Sequence, residues 1–204
     1  MHNPIQIRSI SWEWANSYFF SYEGKNNVID VWFLDFRELY EALWEQWKVD
    51  NLFITHGHFD HIASIEKIID AFPDIICHIH ENERVYLGKS EYNLSEHFNE
   101  DFSLNEKYFE NIRTFKDSEM IDWIKAIHTP GHTIWSSCFY IAEWDVCFSW
   151  DTMFSDTYWR VDLKTWSMEQ MKSSIKKLYA LSPVTMIYPG HMESEILGKI
   201  KIYL

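Results

Sequence analysis

The amino-acid sequence predicts an α/β fold. Short apolar runs of strand length alternate along the 204 residues with amphipathic stretches at helical spacing, the pattern of sheets covered by helices. Hydrophobic residues make up 47% of the chain, enough for a sizeable core, and Gly and Pro are too scarce for long linkers. In addition, several of the strand-like runs lead into histidines and aspartates.

Ile5–Ile10, Ser17–Tyr22 and Val28–Trp32 read as opening strands, with Glu23 to Asn27 as the turn between the last two. Arg37–Lys48 reads as a helix with Leu39, Leu43, Trp44 and Trp47 on its apolar side. Leu52–Thr55 is a strand. Ile62–Ala71 is a helix, spaced by Ile62, Ile65, Ile68 and Ile69 and ended by Pro73. Ile75–Ile79 is the next strand, and Glu81 to Tyr108 is polar and aromatic, expected as short helices and loop. Trp123–Ile127, Cys138–Ile141, Val146–Ser149 and Met186–Tyr188 are the later strands. Met168, Met171, Ile175, Leu178 and Leu181 mark an amphipathic helix whose stripe is core packing. No internal repeat or low-complexity tract interrupts the pattern, and the chain reads as a single domain over 1–204.

The densest chemistry lies in Thr55-His56-Gly57-His58-Phe59-Asp60-His61, on a strand-to-helix turn where side chains can converge on one point. Neutral imidazole and carboxylate are ligands for zinc and similar divalent metals. A solvated polar loop would not repeat downstream, yet three further candidates follow apolar runs. They are His132 in Thr129-Pro130-Gly131-His132, Asp151 in Ser149-Trp150-Asp151, and His191 in Tyr188-Pro189-Gly190-His191.

This H-x-H-x-D-H run, followed by separate His, Asp and His, resembles the metallo-β-lactamase superfamily, and within it the small glyoxalase II-like hydrolases. Asn16-Ser17-Tyr18, Val28-Ile29-Asp30, Asn93-Leu94-Ser95 and Trp159-Arg160-Val161-Asp162 are similar to further segments of that group. The resemblance implies a four-layer αββα sandwich and two divalent metal ions, zinc ahead of iron or manganese. It implies His56, His58 and His132 on one ion, Asp60, His61 and His191 on the other, and Asp151 between them. Asp60 and Asp151 are the catalytic carboxylates of that reading, with Asp60 also orienting the attacking hydroxide. A metal pair of this kind lowers the pKa of water towards roughly 7 and polarises a carbonyl. The implied activity is hydrolysis of a small thioester or ester. A mononuclear iron dioxygenase of the persulfide type, a lactonase or β-lactamase, and a non-catalytic metal-stabilised binding module are the competing readings.

Two departures from the family stand out. Trp150 precedes Asp151 where Gly is common, and either packs in the core or displaces the aspartate. Met192-Glu193 follows His191 where Gly-Pro is common, which alters the pocket rim. The sequence also ends soon after His191, without the C-terminal helical domain of full-length glyoxalase II. Lys25, Arg37 and Arg160 are the only basic candidates near the motifs, so glutathione is not expected to be tightly held.

The remaining histidines carry less. His78 and His80 share a strand face by spacing alone, His128 before the Thr-Pro-Gly-His motif either supports a ligand from behind or is structural, and His2 and His97 read as surface residues. Asp30 either hydrogen-bonds a ligand histidine or forms a surface turn. Arg160 and Asp162 read as a structural ion pair.

A formal charge of −13 argues against a nucleic-acid backbone as partner. No run approaches the roughly 18 apolar residues of a membrane span, and the first residues lack a signal-peptide pattern. Cys77, Cys138 and Cys147 lack metal-type spacing and read as free thiols in a reducing cytoplasm. The expected partner is a small-molecule substrate. With 11 Trp, 11 Tyr and 14 Phe, an aromatic-lined pocket or a homodimer interface would cover the aromatics that the core cannot hold.

Overall fold

The computed structural model describes residues 7–11, 15–32, 48–157 and 167–202. The chain divides into two compact units, Met1–Thr114 and Phe115–Leu204. Each is built around a six-stranded mixed sheet.

In the first unit the strand order is β1 (Ile7–Ser11), β2 (Asn16–Tyr22), β3 (Lys25–Ile29), β4 (Asn51–Phe53), β5 (Ile76–His80) and β6 (Ile112–Phe115). The first three pair antiparallel, whereas β3, β4 and β5 run parallel. The β2–β3 turn is tighter than the sequence suggested. Glu23 and Gly24 both take positive φ, 49° and 76°, so two residues reverse the chain. Lys25, Asn26 and Asn27 belong to the strand. Their polar side chains bond across it: Ser21 Oγ donates to Asn26 Oδ1, and Asn51 Nδ2 donates to Asn27 Oδ1. At the other end, Asp30 turns left-handed at φ 46° and stops β3 before Val31 and Trp32.

The predicted helix after the His-rich turn is two short ones, α1 (Phe59–Ile62) and α2 (Ile65–Ala71). Ile62, Ile65, Ile68 and Ile69 are all buried, as their spacing requires, against Leu52, Ile54, Cys77 and Ile79. Beyond β5 the chain forms 3-10 turns at Arg84–Gly88, Ser95–Phe98 and Glu106–Asn111 and one helical turn, α3 (Ser90–Asn93). Asn93 and Ser95 tie this segment together. Asn93 Nδ2 donates to the carbonyls of Tyr86 and Phe102, and Ser95 Oγ accepts from the Phe102 amide.

The second unit orders its strands β12 (Glu195–Ile196), β11 (Met186–Tyr188), β10 (Val146–Phe148), β9 (Ser137–Ile141), β8 (Ile124–His128) and β7 (Met120–Ile121). Only β10 and β11 pair parallel. Helix α4 (Met168–Tyr179) starts where the Ser167 hydroxyl accepts from the Gln170 amide. Met171, Ile175 and Leu178 are buried with Cys138, Cys147 and Ile187, while Met168, at the first turn, is exposed. The helix expected at Arg37–Lys48, the segment Trp159–Asp162 and His2 lie outside the described residues or almost wholly so. No helix among the described residues is long and apolar enough to cross a membrane.

Candidate metal centre

In the first unit, β4 delivers the motif. Thr55, His56 and His61 are fully buried, His58 is nearly so, and Asp60 keeps 15% of its side chain exposed. Asp30 anchors the arrangement from β3. Its Oδ1 accepts from the Thr55 amide at 2.8 Å, and its Oδ2 accepts from Thr55 Oγ1 at 2.5 Å and from His61 Nδ1 at 2.9 Å. The left-handed backbone at Asp30 aims the carboxylate at those donors, a local strain of the kind found at functional sites. Burial pushes the Asp30 carboxyl above its ordinary pKa, and the bonds from His61 and Thr55 pull it back. Asp30 is thus a buried hydrogen-bond partner of His61, not a surface turn.

These bonds assign the tautomers. His61 donates from Nδ1, which leaves a lone pair on Nε2. Thr55 gives its proton to Asp30, so its oxygen accepts from His56 Nδ1 at 3.1 Å, and His56 Nε2 also keeps a lone pair. Asp30, His56 and His61 together have ligand-type atoms within 4.8 Å of one another. Asp30 already accepts three hydrogen bonds, so it acts behind the imidazoles and not as a ligand.

In the second unit, Asp151 is 1% exposed and sits between two histidines. Its Oδ2 lies 3.4 Å from His132 Nε2 and its Oδ1 lies 3.4 Å from His191 Nε2. His132 leaves β8 through a loop held against α4, where Ser174 Oγ donates to the Pro130 carbonyl at 2.7 Å. Gly131, at φ 144°, takes a backbone that a side chain would strain, and a Cβ there would stand 2.7 Å from the Met171 amide nitrogen. Gly190 is required by Asp151 itself: a Cβ would fall 2.6 Å from Asp151 Oδ1. Trp150 is fully buried, with Cγ 3.3 Å from that Cβ position. The bulky residue therefore packs in the core beside Gly190 and leaves Asp151 with its histidines.

The distances separate two kinds of contact. Asp30–His61, at 2.9 Å, is a hydrogen bond. The pairs His56 Nε2–His58 Nδ1 at 3.1 Å, Asp60 Oδ2–His61 Nε2 at 3.5 Å and the two Asp151 pairs at 3.4 Å are a different class. Two ligands held about 2.0–2.1 Å from one tetrahedral ion stand roughly 3.3–3.4 Å apart. The nitrogen and oxygen donors of both units thus have the spacing and chemistry that a divalent metal requires.

Two buried residues escaped the sequence reading. Glu83 is fully buried and its Oε2 accepts from the Gly57 amide at 2.9 Å, fixing the backbone between His56 and His58. Tyr86 packs on the same glycine: a Cβ at Gly57 would lie 2.2 Å from Tyr86 Cβ. Burial, with Glu83 and Tyr92 nearby, raises the pKa of the Tyr86 phenol. The only sequence signal was two acidic residues and an aromatic just after β5. His78 is structural: Nε2 lies 3.0 Å from Asn51 Oδ1 and the ring stacks on Phe53. His128 Nε2 lies 2.9 Å from the Ile134 carbonyl, and its ring stacks on Trp135.

The sequence model of the metallo-beta-lactamase superfamily matches residues 14–191, most of the chain. The chain belongs to the metallo-beta-lactamase superfamily. Among its superfamily relatives, an uncharacterised protein of Mycobacterium leprae (strain TN) is 30% identical over 155 residues, covering 71% of this chain and 70% of that one. A probable metallo-hydrolase of Bacillus subtilis (strain 168), YqgX, is 28% identical over 156 residues, covering 72% and 70%. A hydroxyacylglutathione hydrolase of Bartonella quintana (strain Toulouse) is 29% identical over 145 residues, 71% of this chain but only 49% of the longer enzyme. Among solved structures, BLEG-1 B3 metallo-beta-lactamase superposes with a TM-score of 0.83 at 24% identity, covering 95% of each chain. TTHA1623 in a di-iron-bound form gives 0.80 at 22% identity, covering 95% of this chain and 96% of that one. The superfamily fold is thus the one expected from the sequence, α/β with two mixed sheets and helices.

Proposed function

We propose that this protein is a dinuclear metallohydrolase acting on a small thioester or ester, with 1–204 as one metallo-β-lactamase-fold domain. The observation that carries the reading is the placement of Asp151, one carboxylate oxygen 3.4 Å from each of two histidines. A carboxylate so placed would be able to serve two ions at once. His132 with His56 and His58 would hold one, and His191 with Asp60 and His61 the other. These sets follow the resemblance of the H-x-H-x-D-H, His, Asp and His order to the superfamily, and the di-iron-bound form of TTHA1623 is a precedent for two metals on this fold.

Bound divalent cations supply a lowered pKa for water and polarisation of the substrate carbonyl. The residues supply the rest. Asp30 and Thr55 keep His61 and His56 in tautomers that present Nε2. Glu83 and Tyr86 hold Gly57 so that His56 and His58 stay in register. Asp60, the most exposed side chain of its motif, would orient the attacking water by accepting a hydrogen bond from it. Asp151 would balance charge between the cations. No serine or cysteine nucleophile is required, and the three cysteines are buried.

A hydrolysis screen of thioesters, esters, lactones and β-lactams, on protein of measured metal content, tests this reading. Turnover of thioesters or esters that disappears on chelation supports it. Protein holding two metals that hydrolyses none of them would overturn it.

A further inference from the structure

Tyr86 stands beside the histidine motif. It lies on the turn that follows the buried Glu83, its Cβ presses on Gly57, and its ring centroid is 6.3 Å from that of His58. The ring row continues outward. Tyr92 is 5.9 Å from Tyr86, and Lys89 Nζ sits 5.1 Å above the Tyr92 ring. Exposure rises along this row from 5% at His58 and 7% at Tyr86 to 42% at Tyr92. Buried tyrosines usually engage their hydroxyl. Here, among the described residues, the Tyr86 hydroxyl bonds to no protein group, although its backbone carbonyl accepts from Asn93. Its Cβ and Cγ pack on Gly57, whereas the hydroxyl is not among the buried atoms that lack a partner and is therefore open to a molecule in the site.

We propose that Tyr86 contacts the substrate, its phenol donating a hydrogen bond to the ester or thioester carbonyl oxygen while the Tyr86–Tyr92 rings line the path of the acyl group. The proposal rests on the hydrolytic reading above. A phenol is a donor at neutral pH. A donor aimed at an oxygen that gains negative charge during reaction stabilises the transition state more than the ground state. Its loss should therefore appear in kcat more than in KM.

The test compares wild type with Tyr86→Phe and Tyr86→Leu on 4-nitrophenyl acetate and phenyl thioacetate, with metal content and Tm measured on each protein. Tyr86→Phe keeps the ring, so metal content and Tm should match wild type while kcat falls by roughly 10- to 100-fold with KM within about threefold. Tyr86→Leu removes the ring as well and should also raise KM. Tyr86→Phe with a kcat within twofold of wild type would overturn the proposal and leave the hydrolytic reading standing. Wild-type protein that hydrolyses neither probe would remove both.

Discussion

Asp30 and His61 form a fully buried pair in which Oδ2 accepts from Nδ1 at 2.9 Å, and neither residue is exposed to solvent. The same oxygen accepts from Thr55, whose hydroxyl in turn lies 3.1 Å from His56 Nδ1. One carboxylate therefore orients two imidazoles of the H-x-H-x-D-H motif.

Asp30→Asn should weaken metal binding by about 10- to 100-fold, the usual cost of losing a partner behind a ligand histidine. The amide cannot accept from His61 and Thr55 on one oxygen and also accept the Thr55 amide on the other. Competition with a chelator of known affinity measures the change. Zinc affinity equal to wild type would show that His61 is held without Asp30.

Trp150→Gly restores the residue common in the family and should nonetheless destabilise this protein. Trp150 is fully buried against Gly190. Removing it should cost at least about 3–5 kcal/mol, a fall in Tm of roughly 6–20 °C for a chain of this size. Thermal denaturation of metal-loaded protein reads this directly. A Tm within 2 °C or so of wild type would mean that the site collapses without loss around the missing ring.

Local chemistry was legible and long-range support was not. His56, His58, Asp60 and His61 crowd one turn, so their residue types and spacing announced them. His132, Asp151 and His191 each follow a strand-like run, and Pro-Gly marks two of them. Glu83 gave no such signal, because its role depends on a turn 26 positions beyond Gly57 folding back onto that amide. Asp30 was ambiguous because a positive φ at the end of a strand is not written in composition. The sequence predicts a longer β2–β3 turn because asparagines usually mark turns, whereas Asn26 and Asn27 bond across the sheet.

Gly190→Ala should release metal with little effect on the rest of the unit. Its new Cβ would stand 2.6 Å from Asp151 Oδ1 and force that carboxylate away from His132 and His191. Gly198→Ala is the control, since its Cβ would meet the Pro183 carbonyl at 2.9 Å, away from any ligand. Elemental analysis should show metal loss for Gly190→Ala alone. Equal metal content in the two variants would contradict the placement of Asp151.

Asp151→Asn should keep the fold, as judged by circular dichroism, while losing metal and lowering turnover by orders of magnitude. The amide carries no charge to set between two cations. Normal turnover with normal metal content would remove Asp151 from the centre.

Stepwise addition of zinc to metal-free protein, with thioester hydrolysis followed at each addition, tests the dinuclear centre most directly. Activity should rise to a plateau at two equivalents per chain. A plateau of full activity at one equivalent would contradict two metals shared by Asp151.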